Sequence, residues 1–95
     1  MPAYLIALVN VTDPAGFQEY AALAGPIAAK HGCRYLVRGG AKTMLEGDLP
    51  YDRIVVAEYP DVASARRFYQ SAEYQDARRK RLAAGAVNMV VIEGA

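Results

Sequence analysis

The sequence predicts one α+β domain, a four-stranded antiparallel sheet with helices over one face. Three observations predict it. Strand-like and helix-like segments run in the order strand, helix, strand, strand, helix, strand. The chain has 95 residues and no linker, repeat or low-complexity segment, so residues 1–95 form a single domain. Its first and last strands are apolar on both sides, where a sheet with one solvated face would alternate polar and apolar positions.

Each element has its own local signals. Ala3–Val11 is apolar, partly β-branched and closed by Thr12, which suits a first strand. Asp13-Pro14 then opens a helix: the carboxylate accepts free first-turn N–H groups, and proline suits the first helical position. Phe17, Tyr20, Ala21, Ala24, Ile27 and His31 recur at helical spacing, and Gly32 is a left-handed stop. Gly25-Pro26 falls in mid-helix and predicts a kink or a break. Residues 33–38 read as a second strand, 43–46 as a further extended piece and Arg53–Tyr59 as a third strand, with turn chemistry over 47–52. Gly39-Gly40 admits two readings: a two-residue hairpin turn, or a bulge bending one long edge strand from 33 to 46. Pro60-Asp61 starts a second helix with Ala65, Phe68 and Tyr69 on its apolar face. Ser71 caps a further segment over 72–84, Gly85 ends it, and 87–93 is the last strand.

Two β-α-β halves in this order give the ferredoxin-like βαββαβ sandwich. In the first strand Leu5, Ala7 and Val9 lie on one side and Tyr4, Ile6 and Leu8 on the other. Val87, Met89 and Val91 likewise oppose Val90 and Ile92. Helices cover one face, and a second copy of the sheet is the simplest cover for the other. The expectation is a homodimer packed sheet to sheet. An apolar content of 54% supports it, since about 45–50% is usual.

Composition excludes several classes. With 11 basic and 10 acidic residues there is no field that calls for nucleic acid. The run Arg78-Arg79-Lys80-Arg81 spreads around a helix at about 100° per residue and makes no single stripe. No apolar run approaches the roughly 20 residues of a membrane span, and the N-terminus lacks the basic start and cleavage site of a signal peptide. The lone Cys33 fits a reducing compartment, so a cytoplasmic location is expected. His31 has no partners at metal spacing, and no phosphate loop or dinucleotide fingerprint is present; no metal and no cofactor are expected.

Arg38-Gly39-Gly40, Glu46-Gly47, Arg53, Glu58, Tyr69-x-Ser71, Glu73-Tyr74 and Glu93-Gly94 form a pattern over nearly the whole chain. It resembles the bacterial family called domain of unknown function 1330. The resemblance implies the dimeric α/β-barrel arrangement, two ferredoxin-like subunits with facing sheets. Similar barrels include cofactor-free monooxygenases, muconolactone isomerases and dehydratase-like enzymes, so the architecture fixes no reaction. The sequence departs from the family in two places. Pro26 stands where relatives continue the helix, and Ala72 replaces a common proline.

Arg38 and Glu58 are the first candidate catalytic or binding residues. Strand alternation puts Arg38 with Leu36, and Glu58 with Ile54 and Val56, on the face toward the dimer cavity. A charge there needs a partner. Either Arg38 and Glu58 form a cross-strand ion pair that fixes register, or Arg38 grips a carboxylate or enolate oxygen with its planar fork. Glu46 and Arg53 flank the 47–52 connection and can pair across its base or rim the pocket. Tyr4, Tyr35, Tyr69 and Tyr74 either fill the core or line a pocket; Tyr69 and Tyr74, bracketing Ser71, and then Tyr4 are the ligand-binding candidates. Ser71 reads as a cap, because no histidine stands near to activate it.

Two function classes follow. One is a small dimeric protein that binds or transforms an organic acid or ketone in a metal-free pocket. Arg38 then holds the anion, Glu58 orients it or accepts a proton, and Tyr69 or Tyr74 completes the pocket. The other is a non-catalytic dimeric binding or scaffold module with a structural Arg38–Glu58 pair.

Overall fold

The structure is a computed structural model that describes residues 1–95. Its elements are β1 (Ala3–Val11), α1 (Pro14–Lys30), β2 (Arg34–Arg38), β3 (Arg53–Tyr59), α2 (Val62–Gln70), α3 (Ala72–Leu82) and β4 (Gly85–Glu93). The sheet order is β2-β3-β1-β4, and every neighbouring pair is antiparallel. This is the ferredoxin-like topology that the order of elements predicts, with the two halves interleaved so that β1 and β3 are central.

Three side chains start the three helices. Asp13 Oδ1 accepts from Gly16 N–H at 3.2 Å, Asp61 Oδ1 from Ser64 N–H at 2.7 Å, and Ser71 Oγ from Tyr74 N–H at 3.2 Å. Ser71 also donates to the Phe68 carbonyl at 2.8 Å, so one hydroxyl closes α2 and opens α3. Alternation then fixes the core. Ala3, Leu5, Ala7 and Val9 of β1 are buried with Ala57 and Tyr59 of β3, against Phe17, Ala24, Ile27 and Ala28 of α1, Ala65 and Phe68 of α2, and Tyr74 and Ala77 of α3. Gly85 begins β4 because a Cβ there would collide with the Asn10 carbonyl of β1.

Three local expectations are corrected. Pro26 does not break α1, which continues to Lys30. Proline removes only one N–H donor, and Ala22, whose carbonyl that donor would have reached, is exposed, as is Pro26. Residues 43–46 form no strand, and Gly39-Gly40 is neither a hairpin turn nor the bulge. The bulge is three residues before Gly39, at Leu36, between the paired Tyr35 and Val37. Gly39 (φ 71°) instead turns the chain out of β2 after its N–H donates to the Ile54 carbonyl at 3.0 Å.

The connection that follows is pinned to one end of the sheet. Asn10 donates to the Pro50 carbonyl at 2.9 Å and accepts from Asp52 N–H at 2.8 Å, and Asn88 bonds the Tyr51 hydroxyl. Opposite the helices the sheet is bare. Val90 is 51% exposed and Ile92 50%, beside half-buried Tyr4, Ile6, Leu8, Ile54 and Val56.

Candidate functional site

The Leu36 bulge decides where the arginines of β2 go. A strand alternates its faces, and one extra residue reverses that alternation beyond it. Tyr35 pairs with Ala57 on the helix side and Val37 with Val56 on the outer side. Arg38 therefore pairs with Val55 and returns to the helix side. The expectation that Arg38 shares the outer face with Glu58 is corrected. Glu58 pairs across the strands with Arg34, whose Nη2 lies 3.2 Å from its Oε1.

Arg38 instead joins a cleft between α1 and the sheet. The cleft has a volume of about 110 Å³, and α1 walls it through Phe17, Tyr20, Ala21, Ala24 and Gly25. Its sheet wall carries Leu5, Ala7, Val9, Val55 and Ala57, and Tyr35, Tyr59 and Phe68 add aromatic surface. Its polar chemistry comes from three guanidinium groups, Arg38, Arg53 and Arg81, and no carboxylate lines it.

The three arginines are held in different ways. Arg38 stacks on Tyr35, its Cζ 3.7 Å from the ring centroid. Arg53 opens β3 and passes under Gly39, where a Cβ would sit 2.9 Å from the guanidinium carbon. Its Nε is buried without a hydrogen-bond partner. Glycine at 39 thus answers two requirements, a positive φ and room for Arg53. Arg81 is only 6% exposed. Its Nη1 donates to the Tyr74 hydroxyl at 2.9 Å, and that hydroxyl lies 2.9 Å from the hydroxyl of Tyr20. None of the three has a carboxylate within ion-pair distance.

The phenols in and behind the cleft are held protonated. Burial pushes Tyr35, Tyr59 and Tyr74 up from the ordinary tyrosine range, with Cys33 beside Tyr35 and Tyr59 and the Tyr20 hydroxyl beside Tyr74 acting in the same direction. Burial also raises the Cys33 thiol, against a weaker opposing hydrogen bond with Tyr59. The cleft therefore offers cations and neutral O–H donors, an environment matched to an anionic oxygen.

The residues singled out in the sequence are dispersed by the fold. Arg38 lines the cleft; Tyr4 and Glu58 lie across the sheet from it. Tyr69 borders a neighbouring cavity, and Tyr74 is fully buried behind Arg81. Glu46 and Arg53 form no ion pair. Arg81 is the residue that sequence reasoning missed. The basic run spreads around its helix, yet Tyr74, Ala77 and Arg81 stand at i, i+3 and i+7 and form the buried stripe of α3. An arginine in register with two core positions was the available signal. No helix is long and apolar enough to cross a membrane, and no three His, Cys, Asp or Glu side chains converge as metal ligands.

The chain belongs to the family described as Domain of unknown function (DUF1330), which matches residues 2–95. No curated protein matches it in sequence. Among solved structures it resembles the RPA0582 protein of unknown function from Rhodopseudomonas palustris, with a TM-score of 0.79 and 22% identity over 99% of this chain and 82% of that one. A dimeric ferredoxin-like protein of unknown function from Jannaschia sp. CCS1 superposes with a TM-score of 0.73 at 12% identity, over 99% of this chain and 100% of the other. SnoaB, a cofactor-independent oxygenase from Streptomyces nogalater, does so with a TM-score of 0.68 at 14% identity, over 99% and 93%. These likenesses establish the shared fold.

Proposed function

We propose that the protein is a homodimer, each subunit of which holds a small, flat organic anion in the cleft between α1 and the sheet. The carrying observation is the cleft's charge pattern: three arginines, an aromatic lining and no acid. Arg81 is buried without a counter-ion, while Arg53 is partly buried and Arg38 reaches solvent; an uncompensated buried cation is costly, and a bound carboxylate or enolate supplies the charge that the fold withholds. Arg38 and Arg53 grip the ligand at the β2–β3 edge, Arg81 faces it from α3, and the protonated Tyr35 and Tyr59 flank it. Glu58 has no part in this site.

The ligand class is an organic acid or the enolate of a ketone. A cleft of donors stabilises negative charge that develops on oxygen. That chemistry is compatible with a neighbour of the same fold being a cofactor-independent oxygenase. Dimerisation is supported by the bare aliphatic outer face and by the dimeric state of ferredoxin-like neighbours. Met44 and the 94% exposed Leu45, on the connection after β2, are further exposed apolar side chains.

A panel of small organic acids tested by thermal shift checks the pocket. At least one aromatic or α-keto acid is expected to raise the melting temperature of the wild type. Arg38→Met should weaken that binding about tenfold, the scale of one charge-assisted hydrogen bond, while the unliganded melt hardly moves. Unchanged affinity of Arg38→Met for every acid that binds would remove Arg38 from the site.

A further inference from the structure

The cleft adjoins a second cavity across Arg81. This space, of about 370 Å³ between α2, α3 and β4, is lined by Arg66, Tyr69, Arg78 and Arg81. Leu5, Arg81 and Val87 border both cavities. As in the first, no carboxylate lines it. The basic run of α3 is divided between two duties. Arg79 pairs with Asp76 at 2.6 Å and Lys80 with Glu19 at 3.9 Å, all four on exposed positions. Arg78 and Arg81, three residues apart on one face, have no acid partner, and the Nε of Arg78 is buried without a hydrogen bond.

We infer that the ligand is an elongated dianion with an apolar middle, its second acidic group lying past Arg81 against Arg66 and Arg78. The inference rests on the pocket reading above and specifies its ligand. The sheet sets the length. Arg53 opens β3, and the second cavity lies over β4, two strands away in the sheet order. At about 4.8 Å per strand, the acidic groups stand roughly 10 Å apart. An aromatic or similarly flat spacer crosses the cleft between them. Such a ligand places one acidic group beside Arg38 and Arg53 and the other beside Arg66 and Arg78.

Titration calorimetry at low salt with phenylacetate and 1,4-phenylenediacetate tests this. The diacid is expected to bind at least tenfold more tightly, on the scale of a second set of charge-assisted hydrogen bonds. Arg78→Gln, and independently Arg66→Gln, should bring the diacid toward the affinity of the monoacid and leave the monoacid unchanged. Arg79→Gln, which removes a paired surface charge, should alter neither. Equal affinities in the wild type, or an equal loss of both acids in Arg78→Gln, would overturn the dianion inference and leave the single-anion pocket standing. Failure of both acids to bind would count against the pocket itself, and the inference would fall with it.

Discussion

The two faces of the sheet use charge in opposite ways. On the helix face, Arg38, Arg53 and Arg81 stand among aromatic rings with no acid nearby. On the outer face, Arg34 and Glu58 pair at 3.2 Å beside bare aliphatic side chains. In the first arrangement the buried Arg81 is left without a counter-ion, and the second is self-sufficient. Under the proposed function, the helix face takes a small anion and the outer face a second subunit. One bulged residue, Leu36, sends Arg38 to the first face and leaves Glu58 to Arg34 on the second.

The outer face gives the largest expected effect. Ile6 of the central strand pairs with Val56 and Val90, all on that side. Ile6→Lys places an ammonium in the middle of the proposed interface, at a cost of several kcal/mol if the dimer forms around it. Light scattering should show a dimer for the wild type and a monomer for the variant. A wild type that is monomeric at micromolar concentration breaks the comparison outright.

The helix face comes next. Tyr74→Phe removes the hydroxyl that accepts from Arg81 and meets Tyr20. Leaving a buried guanidinium short of its partner should cost about 1–3 kcal/mol in urea unfolding. Alkaline unfolding refines this. Tyr59 and Tyr74 have pKa values raised by burial, so unfolding releases their protons once pH passes the ordinary tyrosine value of about 10. Their contribution is intact below that pH and declines above it. Tyr74→Phe should therefore show a shallower loss of stability from pH 10 upward than the wild type.

The smallest effect is expected at the charged pair of the outer face. Glu58 is 27% exposed and Arg34 72%, so Glu58→Gln should change stability by about 0–1 kcal/mol, less at high salt. It should leave acid binding in the cleft untouched. A loss of binding in Glu58→Gln would join the two faces functionally and end the distinction drawn between them.

Much of the fold was legible because its signals are local. Asp13, Asp61 and Ser71 announce helix starts through side chains that reach only three residues ahead. The alternation in β1 displays two apolar faces without reference to anything else. The site was less legible. Face assignment in β2 depends on a bulge that no residue type near Leu36 signals, and counting in twos from Leu36 put Arg38 on the wrong side. The continuity of α1 through Pro26 depends on which side of the helix meets water.

The sequence by itself determined the order of elements, the helix caps, the ferredoxin-like topology and the presence of two apolar sheet faces, since each follows from periodicity and short-range hydrogen bonding. Tertiary structure alone decided which charges meet. Arg34 rather than Arg38 reaches Glu58, Arg53 slides beneath a glycine fourteen residues earlier, and Arg81 is carried into the core by the helix stripe of Tyr74 and Ala77. Those outcomes depend on register and on how α1 and α3 sit above the sheet, which are properties of the whole packed chain.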